Sequence, residues 1–255
     1  MPIKQILGFA RGVMYYLRGF RMVFSSWRLV SLAVMPMLIN ILAVAGFLVA
    51  FNAGVYTLAN WAFAHTSQAW YMAMLSIIGG AILFLASMAV AALLFVSVGV
   101  VVAAPFLEAL SAGVERSVTG KVASTGGPLV GETLHIIRSE GRKMAIFLAI
   151  QAALALLNLI PVAGSIIFAI LNPLFISFVM AYEFTGHPLD RRGYNFSMKR
   201  KRIFQQPGLH LGFGAAVGLT MFIPIVQFLL LPMAVAGGTL LALETLPKDS
   251  GPADG

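Results

Sequence analysis

Glu108 and Glu115 stand seven residues apart, which puts both carboxylates on one face of a helix. Carboxylates so placed can share a cation or divide acid and base roles. Arg116 and the surrounding basic residues offer a plainer reading, solvated ion pairs, and that reading is preferred. Arg191 and Arg192 directly follow Asp190, so a local ion pair is expected there too. His65, His135, His187 and His210 are scattered and form no HxxxH, so no metal site is expected. The chain has no cysteine, which removes thiol catalysis, disulfides and thiolate metal sites. Gly120-Lys121 lacks the phosphate-loop spacing from Gly113, and no Ser/His/Asp grouping stands out. Neither an enzyme nor a cofactor is expected.

Interrupted helices offer a different chemistry. Residues 158–164, NLIPVAG, place a proline and a glycine inside a stretch with no charge from 144 to 182. FIPIVQ at 222–227 does the same in the apolar stretch 209–243. A helix that begins inside an apolar region points free N–H groups and a partial positive charge at its tip. The second half-helices begin near Gly164 and Ser165 and between Pro224 and Gln227. With Asn158 and Gln227 nearby, such ends can replace water around an oxyanion. The alternative is that both breaks only turn the chain. Arg18, Arg21 and Arg28 stand before the first long apolar run, where they can concentrate an anion or anchor to lipid headgroups. The basic run 199–202 has the same two readings, with orientation in the membrane as the main one.

The elements that must position these residues are membrane segments. Sixty per cent of the 255 residues are hydrophobic, 10% are charged, and the mean hydropathy is +0.92. A soluble domain is about a quarter charged. The net charge of +8 therefore reads as basic residues facing anionic headgroups, with no nucleic-acid partner. Basic residues recur through 1–28 and leave no uninterrupted apolar core for a cleavable signal.

Between Arg28 and Glu108 lie 79 residues without Asp, Glu, Lys or Arg. Residues 29–51 and 71–104 are expected to span, and 52–70 to form an interfacial turn with Trp61, Trp70 and Tyr71. All 17 Lys and Arg fall in 1–28, 105–143, 183–208 and the tail, none in 52–70. The positive-inside rule then puts both termini in the cytoplasm. A single crossing by 144–182 would leave the most basic loop outside, so this segment must cross an even number of times or enter and turn back. Each half, of roughly 15–18 residues, is short for a full span of about 30 Å. A re-entrant helical hairpin is expected, and a second at 209–243, where Pro224 could instead kink one long span. Ile3, Ile6, Leu7, Ala10, Val13, Met14, Leu17 and Phe20 follow helical spacing opposite Lys4, Arg11 and Arg18. They predict an amphipathic helix on the membrane surface over 1–28. Residues 105–120 read as a separate short helix, 126–131 as a loop, and 244–255 as a polar tail. Residues 1–243 are expected to form one membrane domain.

YYLRGFRMV at 15–23, MPMLINILA at 35–43, APFLEALSAGVE at 104–115, NLIPVAG at 158–164 and EFTGHPLDRRGYNFSMKRKR at 183–202 together resemble the CysZ family of sulfate permeases and the wider etoposide-induced-protein domain superfamily. The resemblance covers most of residues 10–240. It implies an all-α membrane fold with two long spanning helices and two pairs of half-penetrating helices. It further implies a channel-like permease for a small oxyanion, sulfate by resemblance, in the inner membrane, feeding sulfur assimilation and cysteine synthesis. A homo-oligomer is expected. At 24–30 the chain reads FSSWRLV, with Arg28 alone where sulfate permeases carry Pro-Gly and paired basic residues. The absence of ionisable residues in the spans favours passive flux over coupled pumping. A non-transporting scaffold that organises lipids or partners is the alternative.

Overall fold

A computed structural model describes residues 2–64, 70–123, 130–221 and 224–246. Every regular element among the described residues is helical. In chain order these are α1 (Pro2–Val23), α2 (Trp27–Ala64), α3 (Trp70–Thr119), α4 (Val130–Leu156), a single 3-10 turn (Leu157–Leu159), α5 (Ala163–Asp190), α6 (Phe196–Gln205), α7 (Pro207–Met221) and α8 (Pro224–Thr245). Among the described residues four stretches are long and apolar enough to cross a membrane: Trp27–Thr57, Ile77–Phe95, Gly141–Leu159 and Ala163–Asp190.

Three expectations need correction. Residues 52–64 continue α2 and do not turn. Their polar side chains bond back within the helix, Asn52 Nδ2 to the Leu48 carbonyl at 2.8 Å and Thr57 Oγ1 to that of Ala53 at 2.9 Å. The separate helix expected at 105–120 is the end of the 50-residue α3, which runs through Pro105. One lost donor does not stop a helix flanked by Ala103, Ala104, Leu107 and Ala109. The arms around the 158–164 break are also longer than expected. Gly141–Leu159 has 19 residues and Ala163–Asp190 has 28, so length alone permits either arm to cross.

The chain divides into two compact units, Leu32–Phe106 and the combination of Met1–Ser31 with Leu107–Gly255. In the first, Asn40 donates from Nδ2 to the Phe95 carbonyl at 2.8 Å, and Gly99 lets that amide approach. Most other large side chains there face outward, including Leu42, Val49, Ile77 and Leu93. Such a surface suits hydrocarbon, where close packing and interhelical hydrogen bonds hold helices together.

In the second unit α1 lies along α7 and α8. Its small residues make this possible: a Cβ on Gly12 would meet the Leu209 carbonyl, and one on Gly19 that of Met233. Tyr16 donates to Thr220 Oγ1 at 3.1 Å, and Arg11 pairs with Glu244 at 2.7 Å. Rising positions on α1 therefore meet rising positions on α7 and falling positions on α8, so α7 and α8 run antiparallel. Tyr15, Phe213, Val217, Met233 and Leu241 fill the core between them. Ile6, Leu7, Met14, Leu17 and Phe20 of α1 remain exposed. The apolar stripe seen in the sequence is thus the outward face, and a glycine–tyrosine face makes the internal contacts.

Candidate functional site

The break after α4 forms a tight tip. Leu157–Leu159 winds into a 3-10 turn, Ile160 is extended, and Val162 takes φ 62°, ψ −63°. The chain therefore reverses through Val162 and not through Gly164. Gly164 serves a different need: it is buried, and a Cβ there would collide with the Leu157 carbonyl. The first N–H groups of α5 are partly consumed at the turn, Ala163 to the Pro161 carbonyl at 2.7 Å and Gly164 to that of Ile160 at 3.1 Å. Fewer donors are left for an anion than a bare helix end would offer. Asn158 and Ser165 are exposed, and Asn158 Nδ2 donates to the Ala155 carbonyl at 3.3 Å. Gln227 falls within α8, but its side chain lies outside the described residues.

Arg18, Arg21 and Arg28 are all exposed. Arg18 lies over the Tyr15 ring, 5.0 Å from its centre. Among the described residues no hydrogen bond or ion pair joins these arginines to the 158–165 tip. Arg18 and Arg21 lie on α1, Arg28 on α2, and Asn158, Gly164 and Ser165 at the tip between α4 and α5.

A further group was missed as a site. Glu108, Ser111 and Glu115 line one face of α3 through their three- and four-residue spacing. Arg191 donates to both glutamates and, through Nη2, to Ser111 Oγ at 3.0 Å. Arg192 reaches Glu115 Oε1 at 2.6 Å, and the Ala123 N–H donates to the same oxygen at 3.2 Å. Ser111 Oγ bonds Thr239 Oγ1 of α8 at 2.8 Å, so the network ties three helices together. His187 Nδ1 lies 2.9 Å from Glu108 Oε2.

Burial alone would push the Glu115 carboxyl up; the hydrogen bonds from Arg191, Ala123 and Arg192 more than offset it and hold its pKa below the usual carboxylate value. Glu108 is likewise lowered, its hydrogen bonds and charge contacts with His187 and Arg191 outweighing desolvation. Both glutamates therefore stay ionised at neutral pH.

Both acids find partners beyond their neighbours in sequence. Asp190 pairs with Lys199, and Glu115 pairs with Arg191 and Arg192 while Arg116 is exposed. Consecutive helix residues point about 100° apart and do not face each other. The i, i+3, i+7 spacing of Glu108, Ser111 and Glu115 was the available signal; their partners, some 80 positions away, had none. The charges in this clamp neutralise one another. Among the described residues there is no group of three or more His, Asp or Glu that could hold a metal.

An all-α chain with four membrane-length apolar stretches and an internally neutralised charge clamp is a multi-pass membrane protein. The family model described as "Sulfate transporter CysZ/Etoposide-induced protein 2.4" matches residues 15–232, and the chain belongs to that family. Its relatives include proteins named sulfate transporter CysZ. That of Pectobacterium atrosepticum is 28% identical over 250 residues, covering 91% of this chain and 89% of the relative. That of Vibrio atlanticus is 28% identical, covering 90% and 91%. That of Pseudomonas fluorescens is 34% identical over a shorter stretch, covering 58% and 62%.

Proposed function

We propose that this protein is a channel-like permease for a small oxyanion, sulfate first among candidates, that supplies sulfur assimilation and cysteine synthesis. The observation that carries this reading is likeness to proteins named sulfate transporter over about nine-tenths of both chains. The helix break at 158–164 supports it, because interrupted helices aim backbone dipoles into a membrane interior. No charged residue lies between Arg28 and Glu108, which fits passive flux. In this reading the chain sits in the inner membrane as one domain over 1–243, as a homo-oligomer, with both termini in the cytoplasm. Residues 141–190 enter and return on the same side. The 15-residue α7, about 22 Å long, reaches only partway into hydrocarbon about 30 Å thick, so α7 and α8 form a half-penetrating pair. Arg18, Arg21 and Arg28 meet the anion or lipid headgroups at the cytoplasmic face, while Asn158, Ser165 and Gln227 lie near the half-helix starts.

The test is flux of labelled sulfate into liposomes holding the purified protein. Saturable uptake above empty liposomes is expected without an ion gradient. No uptake by protein shown to be folded and inserted would overturn the permease reading in favour of a non-transporting scaffold.

A further inference from the structure

Four consecutive basic residues, 199–202, lie in the middle of α6, and the fold divides them into two pairs. Lys199 is buried, pairs with Asp190, and lies 5.3 Å from the centre of the Tyr182 ring. Arg202 donates to the Thr245 carbonyl and to the Tyr194 hydroxyl. These two, with buried Ile203, form the inner face of the helix. Arg200 and Lys201 turn the other way, are exposed, and make no ion pair among the described residues. Arg200 rests over the Phe196 ring at 5.9 Å. Beside them Phe204 is 62% exposed although its ring stacks on Phe178 at 5.5 Å, and Met198 is 36% exposed. Arg200, Lys201, Met198 and Phe204 line one open recess with Ser197 and Gln205.

We propose that this outer face of α6 docks on the phosphate headgroups of anionic phospholipid. The two unneutralised cations supply charge complementarity to a phosphate surface. The adjacent phenyl and thioether groups need an apolar partner, which acyl chains provide and a hydrated free oxyanion does not. The position agrees: α6 follows directly after the apolar stretch Ala163–Asp190 and precedes α7, so it stands at a membrane boundary. The inference rests on the membrane placement proposed above, and not on sulfate being the substrate.

The experiment uses the full chain in neutral detergent, titrated with phosphatidylglycerol, phosphatidylcholine or inorganic phosphate. Lipid adducts are counted by native mass spectrometry, and the unfolding temperature is followed in parallel. Wild type is expected to bind phosphatidylglycerol preferentially. The double variant Arg200→Ala with Lys201→Ala should weaken that binding about thirtyfold, near tenfold or less per cation. Phe204→Ser should weaken it too, with the charge unchanged. Should the double variant not fold, Lys201→Gln alone and a salt titration of wild type carry the same expectation of weakened binding. Equal phosphatidylglycerol binding by wild type and a folded charge variant overturns the proposal. So does inorganic phosphate displacing the lipid at matched concentration, which would mark a free-oxyanion site. Sulfate flux is not read here, so failure of the permease reading and failure of this one are told apart.

Discussion

Arg191 directs both Nε, at 3.2 Å, and Nη2, at 2.6 Å, to the same Oε2 of Glu115, whose side chain is fully buried. Arg192 holds the other oxygen, so the carboxylate is satisfied from two sides. This joins the end of α3 to the end of α5, where an apolar contact would have done so without orientation. A buried carboxylate with its partners complete is tolerated; one with a partner removed is not.

Glu115→Gln should therefore destabilise the protein strongly, by about 3–5 kcal/mol, because Arg192 loses its counter-charge and Arg191 keeps only Glu108. Glu108→Gln should cost about 1 kcal/mol or less, since that side chain is 44% exposed. Thermal unfolding in detergent checks the order. Equal effects at the two positions would mean that Glu115 is not the anchor of the clamp.

The same carboxylates set an acid limit. Their folded pKa values lie below the ordinary value of 4.5, so their contribution is fully present above that pH. It is lost as pH falls through the depressed folded values. Unfolding temperature should hold steady from neutral pH down to the ordinary carboxylate range, then fall. Glu115→Gln should flatten that fall, and an unchanged pH slope in the variant would count against the assignment.

The 158–164 tip makes two opposite demands. Gly164→Leu should reduce folded protein sharply, because the Leu157 carbonyl occupies the space of a Cβ. Gly46→Leu should be tolerated, since nothing lies within 4 Å of a Cβ at that position. Val162→Gly should be neutral or stabilising, as a β-branched residue at φ 62° carries strain of about 1–3 kcal/mol. Expression and thermal stability of the three variants distinguish these outcomes. Equal tolerance of leucine at 46 and 164 would rule out the close approach.

The proposed orientation can be read by single-cysteine labelling, since the native chain has no cysteine. In intact cells a membrane-impermeant reagent should reach Asn60→Cys and not Gln205→Cys, both exposed positions. Labelling of position 205 from outside would show that 141–190 crosses once, and the same-side return would be abandoned.

Hydropathy and helix breaking are local properties, so the sequence by itself was sufficient for a helical membrane protein and for the interruption at 158–164. Pro161 lacks a backbone donor wherever the chain goes, and the uncharged stretch 144–182 suits lipid in any packing. Partnership is not local. Asp190 pairs with Lys199 of α6, a partner that no spacing in the sequence pointed to. The run 199–202 looked uniform as a string, yet helical geometry turned Lys199 and Arg202 inward and Arg200 and Lys201 outward. In α1 the apolar stripe drew the eye, but Gly12 and Gly19, with no side chain to signal anything, decided where α7 and α8 could pack. Only the tertiary structure could assign these roles, because each depends on what lies opposite, and that partner is 43 residues away in the chain for Arg202 and 204 for Tyr16.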